Sequence, residues 1–213
     1  DGYGTDILQA KTQAQFNLIS EERPVTPPPA LGVPQPPSIS SPTHPNPGKW
    51  YSQSTATFAW PMSGDVDATR LLFGRLSLAE PAVLYIPPIS QKVIEDFNEG
   101  VWYFHAQLRN ASGWGGTTHF RFQIDTENPD RFDISEVTRD DLTDPGVKFL
   151  LDADDKTSGI DYYEVQIDDG SPQRLQDDGS GIFEAPVMGP GEHILIAKAI
   201  DKAGNVLEKS AEF

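Results

Sequence analysis

The stretch Gly100-Val101-Trp102-Tyr103-Phe104-His105-Ala106-Gln107-Leu108-Arg109-Asn110, followed by Ala111-Ser112-Gly113-Trp114-Gly115 and then by His119-Phe120-Arg121-Phe122-Gln123-Ile124, decides the fold. Trp102, Phe104, Ala106 and Leu108 alternate with Tyr103, His105, Gln107 and Arg109. Phe120, Phe122 and Ile124 alternate with His119, Arg121 and Gln123. A period of two, with the large apolar residues on one side, marks a half-buried strand. The loop from Asn110 to Gly115 joins the two runs into a hairpin. If that turn is tight, His105 and His119 stand opposite each other on the outward face.

Working outward, Thr55 to Trp60 reads as a strand ended by Pro61, and Thr69 to Phe73 as another. Ala82 to Ile86 is apolar, but Pro87-Pro88 confines it to an edge or a turn. Ser90 to Phe97 carries helical spacing at Ile94 and Phe97 and is the expected exception to an otherwise strand-only pattern. The plan then repeats. Val147 to Leu151 reads as a strand and Asp152 to Gly159 as an acidic loop. Tyr163, Val165 and Ile167 alternate, and Asp168-Asp169-Gly170 is a turn. His193, Leu195, Ala197 and Ala199 alternate up to the turn Asp201-Lys202-Ala203-Gly204-Asn205, and Val206 to Phe213 closes the sheet. Short strands punctuated by Gly, Pro and Asp predict an all-β chain of two tandem β-sandwiches, over residues 48–124 and 125–213.

Upstream, residues 1–23 contain the strand-like run Ala14-Gln15-Phe16-Asn17-Leu18-Ile19. Ten prolines then fall between Pro24 and Pro47. Proline fixes φ and removes a donor, so residues 24–47 are expected to form an extended, semi-rigid spacer. Such a spacer projects the lone strand away from the modules. Phe16, Leu18 and Ile19 then complete an upstream domain of the same protein, stay disordered, or add to an open sheet edge of a neighbouring copy.

Composition narrows the function. The chain has 213 residues, 19 of them proline and 18 glycine, and no cysteine. The last fact excludes disulfides, thiolate metal sites and a thiol nucleophile. No apolar run approaches the ~20 residues that span a bilayer. No basic stretch followed by an apolar core opens the sequence, as expected of a mature secreted chain. The formal net charge is −16. It is concentrated after Ile124, where eight basic residues face twenty-two acidic ones. That surface repels nucleic acid and anionic membrane and suits solubility or divalent cations.

Several stretches resemble known families. Trp102 to Gly115 resembles the penultimate strand and following loop of fibronectin type III domains, with Trp60 where that family places a core tryptophan. Trp102 stands where the family usually has tyrosine. Asp125-Thr126-Glu127-Asn128-Pro129 resembles the junction that starts many bacterial Ig-like repeats. Ser158 to Val165 and Ala199 to Asn205 resemble the most typical stretches of those repeats. Asp1 to Ile19 resembles the final strand of a cohesin-like domain. These resemblances imply an extracellular or cell-surface protein of a bacterium or archaeon, used as a spacer, adhesin or accessory module.

Candidate sites are sparse. No Gly-x-Ser-x-Gly elbow, phosphate loop or His-Glu-x-x-His appears, and the carboxylates lie mostly in turns, so no enzyme is expected. Asp125, Glu127, Asp152, Asp154, Asp155 and Asp201 are the candidate ligands of a calcium ion, which takes six to eight oxygens, often from several loops. His105 and His119 are a weaker pair for zinc or copper. His44 lies in the linker, and His193 alternates with core residues. Asn110-Ala111-Ser112 fits the glycosylation acceptor pattern. Trp114, between two glycines, is the best candidate ring for stacking on a glycan, ahead of Trp50, Tyr51 and Tyr103. The expected function is a non-catalytic structural or adhesive surface protein, a stalk or filament subunit whose partners are other copies of itself or other surface proteins. The alternative is a carbohydrate-binding or accessory module of a larger secreted, cohesin-containing protein.

Overall fold

The computed structural model describes residues 32–138 and 146–213, which hold fourteen strands and no helix. In the first half, β1 (Trp50–Tyr51), β2 (Ala56–Ala59), β3 (Ala68–Gly74), β4 (Val83–Tyr85), β5 (Gln91–Ile94), β6 (Gly100–Asn110) and β7 (Gly113–Ile124) form two sheets. One has the order β1-β7-β6-β3-β4 and the other pairs β2 with β5. The expected helical exception is corrected here: within Ser90 to Phe97, residues Gln91–Ile94 are β5, paired antiparallel to β2. Ile94 packs against the core from a strand, and Phe97 follows it in irregular backbone. The helical spacing of two apolar residues was overridden by a sheet partner.

The second half repeats the arrangement with β8 (Arg131–Glu136), β9 (Lys148–Asp154), β10 (Ile160–Ile167), β11 (Gln173–Gln176), β12 (Ile182–Glu184), β13 (Ile194–Asp201) and β14 (Val206–Glu212). Its sheets run β11-β10-β13-β14 and β12-β9-β8. Third, fourth, sixth and seventh strands thus share one sheet in both halves, facing the second and fifth. The chain is two tandem β-sandwiches, each around its own core.

The first core is aromatic. Phe58, Phe104, Phe122 and Ile124 are fully buried, and Trp60 nearly so. Phe58 and Phe104 stack with ring centroids 4.1 Å apart, bringing the two sheets into contact. Offset aromatic pairs add to the burial of large apolar area. The second core is built from Phe132, Phe149, Leu151, Val165, Leu195, Ala197 and Ala199. In both, the apolar core side chains are those the alternation places on one face, but β6 is buried on both faces from Phe104 to Leu108, so His105 and Gln107, expected on the outward face, are buried as well.

The hairpin that opens the sequence argument is tight. Asn110 pairs with Gly113, leaving only Ala111 and Ser112 between the strands. Gly113 takes φ +127°, a conformation that side chains rarely adopt, and Ser112 N–H donates to the Asn110 side chain at 2.9 Å. A register shift between Gln107 and Arg109 then brings His105 directly opposite His119.

The proline-rich segment departs from expectation. Val33 to Pro47 is not a free spacer but packs along the first sandwich. Ser40 and Ala59 exchange both backbone hydrogen bonds, at 2.8 and 2.9 Å. Ser41 Oγ donates to the Thr57 carbonyl, and Thr57 N–H donates to Thr43 Oγ1. The carbonyl of Pro37 accepts from Thr118 on β7 at 2.6 Å. Proline lacks a donor but keeps its carbonyl, so a proline-rich strand can still accept bonds from a sheet edge. His44, expected in an open linker, is fully buried. The run Phe16, Leu18 and Ile19, and the stretch resembling a cohesin strand, lie outside the described residues.

Candidate functional site

Asp125 follows the last residue of β7 and is the first residue after the first sandwich. Its N–H donates to the Tyr51 carbonyl at 3.0 Å, which continues the pairing of β7 with β1. Two loops of the second sandwich close over it. The β9–β10 loop brings Asp155, and Asp201 ends β13 where the turn to β14 begins. One carboxylate oxygen from each of Asp125, Asp155 and Asp201 lies within 4.8 Å of the other two.

Backbone donors hold Asp155 and Asp201 closely in place, whereas Asp125 Oδ1 accepts one long bond, from the Glu127 N–H at 3.4 Å. Asp155 Oδ1 accepts from the N–H groups of Ser158 and Gly159, at 2.7 and 2.6 Å. Asp201 Oδ1 accepts from Ala203, Gly204 and Asn205, at 2.8, 2.7 and 2.9 Å. Aspartates followed by such turns satisfy donors that would otherwise be orphaned, which explains their position locally. Asp125 differs. It is fully buried, and its Oδ2 is buried with no hydrogen-bond partner. Burial pushes its carboxyl up to about 6, the charges of Asp155 and Asp201 adding to the shift against weaker opposition from Ser158 and the Glu127 N–H.

Further contacts fasten the two sandwiches here. The Asn205 side-chain amide donates to the Asp125 carbonyl at 2.9 Å and to Asp201 Oδ2 at 2.8 Å. Glu99, in the loop before β6, accepts from the Glu127 N–H at 3.1 Å and from the Thr157 hydroxyl at 3.2 Å. Sequence reading did not single out Glu99, Thr157 or Asn205. Only the Asn205 turn carried a local signal.

The other candidate ligands stand elsewhere. Asp152 and Asp154 belong to strand β9, not to an acidic loop. Asp152 forms a two-pronged ion pair with Arg131, at 2.6 and 2.9 Å, which holds its carboxyl below the usual range. Asp154 is exposed at the end of the strand. Glu127 enters through its backbone N–H, while its side chain is no part of the cluster.

The remaining sites also resolve. His105 is fully buried, and its Nδ1 lies 2.6 Å from Nδ1 of His119. Burial, and then the neighbouring imidazole, keep His105 below the ordinary histidine value. No carboxylate or third histidine joins them in a metal-sized group among the described residues. His193 is half-buried and bonded to Asp168 and the Gly189 carbonyl, not part of the core. Asn110 is buried, with its amide nitrogen donating to Asp65 at 2.7 Å, so the acceptor pattern there is structural. Trp114 is half-buried in β7, and the Arg70 guanidinium lies 3.9 Å from its ring centroid. That ring face stacks on arginine and is not open to a sugar.

No family model and no curated protein sequence matches the chain. Among solved structures, the fibronectin(III)-like modules of Clostridium thermocellum CbhA superpose with a TM-score of 0.44 at 12% identity, over 82% of this chain and 92% of that one. The FN1-FN3 domains of chicken CNTN1 superpose with a TM-score of 0.42 at 13% identity, over 85% of this chain. The chain spans 65% of the length of the chicken protein's chain. Tandem fibronectin type III-like modules are therefore among the structures this chain is similar to, and no helix of the described residues is long and apolar enough to cross a membrane.

Proposed function

We propose that the chain is a non-catalytic, extracellular structural protein of a bacterial or archaeal surface, a stalk or filament subunit that pairs with other copies of itself or with other surface proteins. The observation that carries this reading is the open side of the first sandwich. Strands β4 and β5 each end their sheet, and each has a pairing side that no described strand fills. Val83, Leu84 and Val93 on these strands, and Ile86 just beyond, are all 45–63% exposed. A shallow apolar groove lies between the two edges, lined by Leu71, Phe73, Val83, Tyr85 and Ile94. Both edge strands are short, at three and four residues, but their unfilled pairing sides carry exposed apolar side chains, and such an edge invites another strand. The segment around Phe16, Leu18 and Ile19 has the alternation to add there from a neighbouring copy. A head-to-tail contact of that kind gives a filament where its rotation does not close a ring.

The carbohydrate-binding alternative needs an open aromatic face, and Trp114 has given its own to Arg70. Deleting residues 1–23 tests the assembly reading. Loss of oligomers in light scattering and electron microscopy is expected. Unchanged oligomers or filaments in the deleted protein overturn strand donation.

A further inference from the structure

We propose that Lys92 selects the strand that enters the open side of the first sandwich, admitting one whose apolar face is followed by a carboxylate. The inference rests on the assembly reading above and names what that site recognises. Lys92 stands directly opposite Phe58 in the pairing of β5 with β2, and Phe58 is fully buried. Residues directly opposite each other share a face of the sheet, so Lys92 points inward. There it lines the apolar groove together with Leu71, Phe73, Val83, Tyr85 and Ile94. The chain holds 32 acidic residues against 16 basic ones, yet among the described residues Lys92 makes no ion pair. Its Nζ instead lies across the groove, 5.5 Å from the centroid of the Tyr85 ring on β4.

An inward-pointing charge is one way in which an edge strand refuses casual partners. An apolar strand laid over the groove buries the ammonium without a counter-charge, which is costly. A strand that brings a carboxylate to the same place meets the lysine away from water, where opposite charges attract more strongly. The chain carries such a strand. Ala14, Phe16 and Leu18 share one face, and a period of two puts Ser20 and Glu22 on it as well. The pairing of β3 with β4 sets the levels along the groove, with Leu71 opposite Val83 and Thr69 opposite Tyr85. A neighbouring copy's strand laid parallel to β4, with Leu18 over Leu71, brings Ser20 level with Tyr85 and Glu22 about 7 Å beyond it. The flexible lysine stem reaches that carboxylate by turning away from the ring.

The test uses the full chain. Light scattering and electron microscopy read assembly, and tryptophan fluorescence reads the fold of the first sandwich. Lys92→Glu is expected to raise the concentration needed for assembly about tenfold or more, because like charges then meet. Glu22→Lys should do the same, and Lys92→Arg should assemble as wild type. The chain with both charges exchanged, Lys92→Glu with Glu22→Lys, should assemble again, a recovery that a purely structural role for Lys92 would not give. Should Lys92→Glu melt early, Lys92→Gln removes the charge alone and is expected to weaken assembly in the same direction. Wild-type assembly of a folded Lys92→Glu or Lys92→Gln overturns the proposal, as does an exchanged pair that folds without assembling. Those results leave strand donation standing if deletion of residues 1–23 still abolishes oligomers. Oligomers that survive the deletion sink both.

Discussion

The side-chain amide of Asn205 donates to the backbone carbonyl of Asp125 across the boundary between the sandwiches, at 2.9 Å. The same amide group holds Asp201 Oδ2 at 2.8 Å, so one asparagine ties the β13–β14 turn to the joining residue. Asn205→Ala removes both bonds and leaves the Asp125 carbonyl to find another donor. An unsatisfied buried polar group costs about 1–3 kcal/mol. Urea unfolding followed by circular dichroism is expected to show a loss of that size. A midpoint within error of wild type would mean that the junction is held by other contacts.

All four tryptophans, Trp50, Trp60, Trp102 and Trp114, lie in the first sandwich. Their fluorescence therefore reports on one sandwich alone. Phe104 is fully buried and stacked on Phe58, and Phe149 is 1% exposed in the other core. Truncating either to alanine should cost about 3–5 kcal/mol. Phe104→Ala is expected to move the fluorescence transition by that amount. Phe149→Ala is expected to move the circular dichroism transition while the fluorescence midpoint shifts little, because a few hydrogen bonds couple the cores. Equal shifts in both signals for Phe149→Ala would show one cooperative unit instead.

His44 makes the first sandwich sensitive to acid. Its Nε2–H donates to the Gln53 carbonyl at 3.1 Å, which leaves Nδ1 to accept from the Thr43 hydroxyl at 2.8 Å. Burial lowers its affinity for a proton, the Gln53 bond opposing weakly, and His105 is lowered in the same direction. The folded chain thus takes up a second ring proton less readily than the unfolded chain. Stability from these sites is complete above the ordinary histidine value of about 6.5 and is lost as pH falls below it. The tryptophan-detected melting temperature should fall between about pH 7 and about pH 5. His44→Gln should flatten that fall. A profile as steep as wild type would clear His44 of the effect.

Gly115 lies under the proline-rich segment. A Cβ built there would meet the Pro34 carbonyl oxygen at 2.0 Å, a backbone atom with no flexible end to yield. Gly115→Ala should lift the chain around Pro34 off β7 and cost about 1–3 kcal/mol, as overpacking does. Proteolysis within residues 33–47 should accelerate in the variant. Removal of residues 1–48, which also strips the buried His44 and the Ser40 bridge, should destabilise the first sandwich more than removal of residues 1–31. Equal melting temperatures for the two truncations would restore the picture of a free spacer.

How far the site was legible follows from particular residues. Asp125, Asp155 and Asp201 each sit in a stretch whose turn chemistry is local, and all three were candidates from sequence. Asp152 and Asp154 looked equivalent to Asp155 because charge in a row says nothing about where a strand ends. The backbone of β9 continues to Asp154, which sends Asp152 to Arg131 and leaves Asp155 as the first residue free to turn inward. Trp114 looked exposed because it lies between two glycines. A turn of only two residues puts it in a strand, next to Arg70.

The sequence by itself determined the periods and the punctuation. Alternation from Trp102 to Leu108 and from Phe120 to Ile124 selects strands, and the second half repeats the pattern, so two sandwiches follow from local chemistry. Tertiary structure decided what no local pattern holds. The proline-rich run from Val33 to Pro47 has the composition of a spacer, but its carbonyls and the His44 ring meet donors, acceptors and apolar walls supplied by strands up to eighty-one residues away. Likewise, the burial that strips Asp125 of water comes from loops of the second sandwich, thirty and seventy-six residues further along the chain. Propensity and spacing act within a few residues, whereas desolvation is set by whatever the folded chain brings alongside.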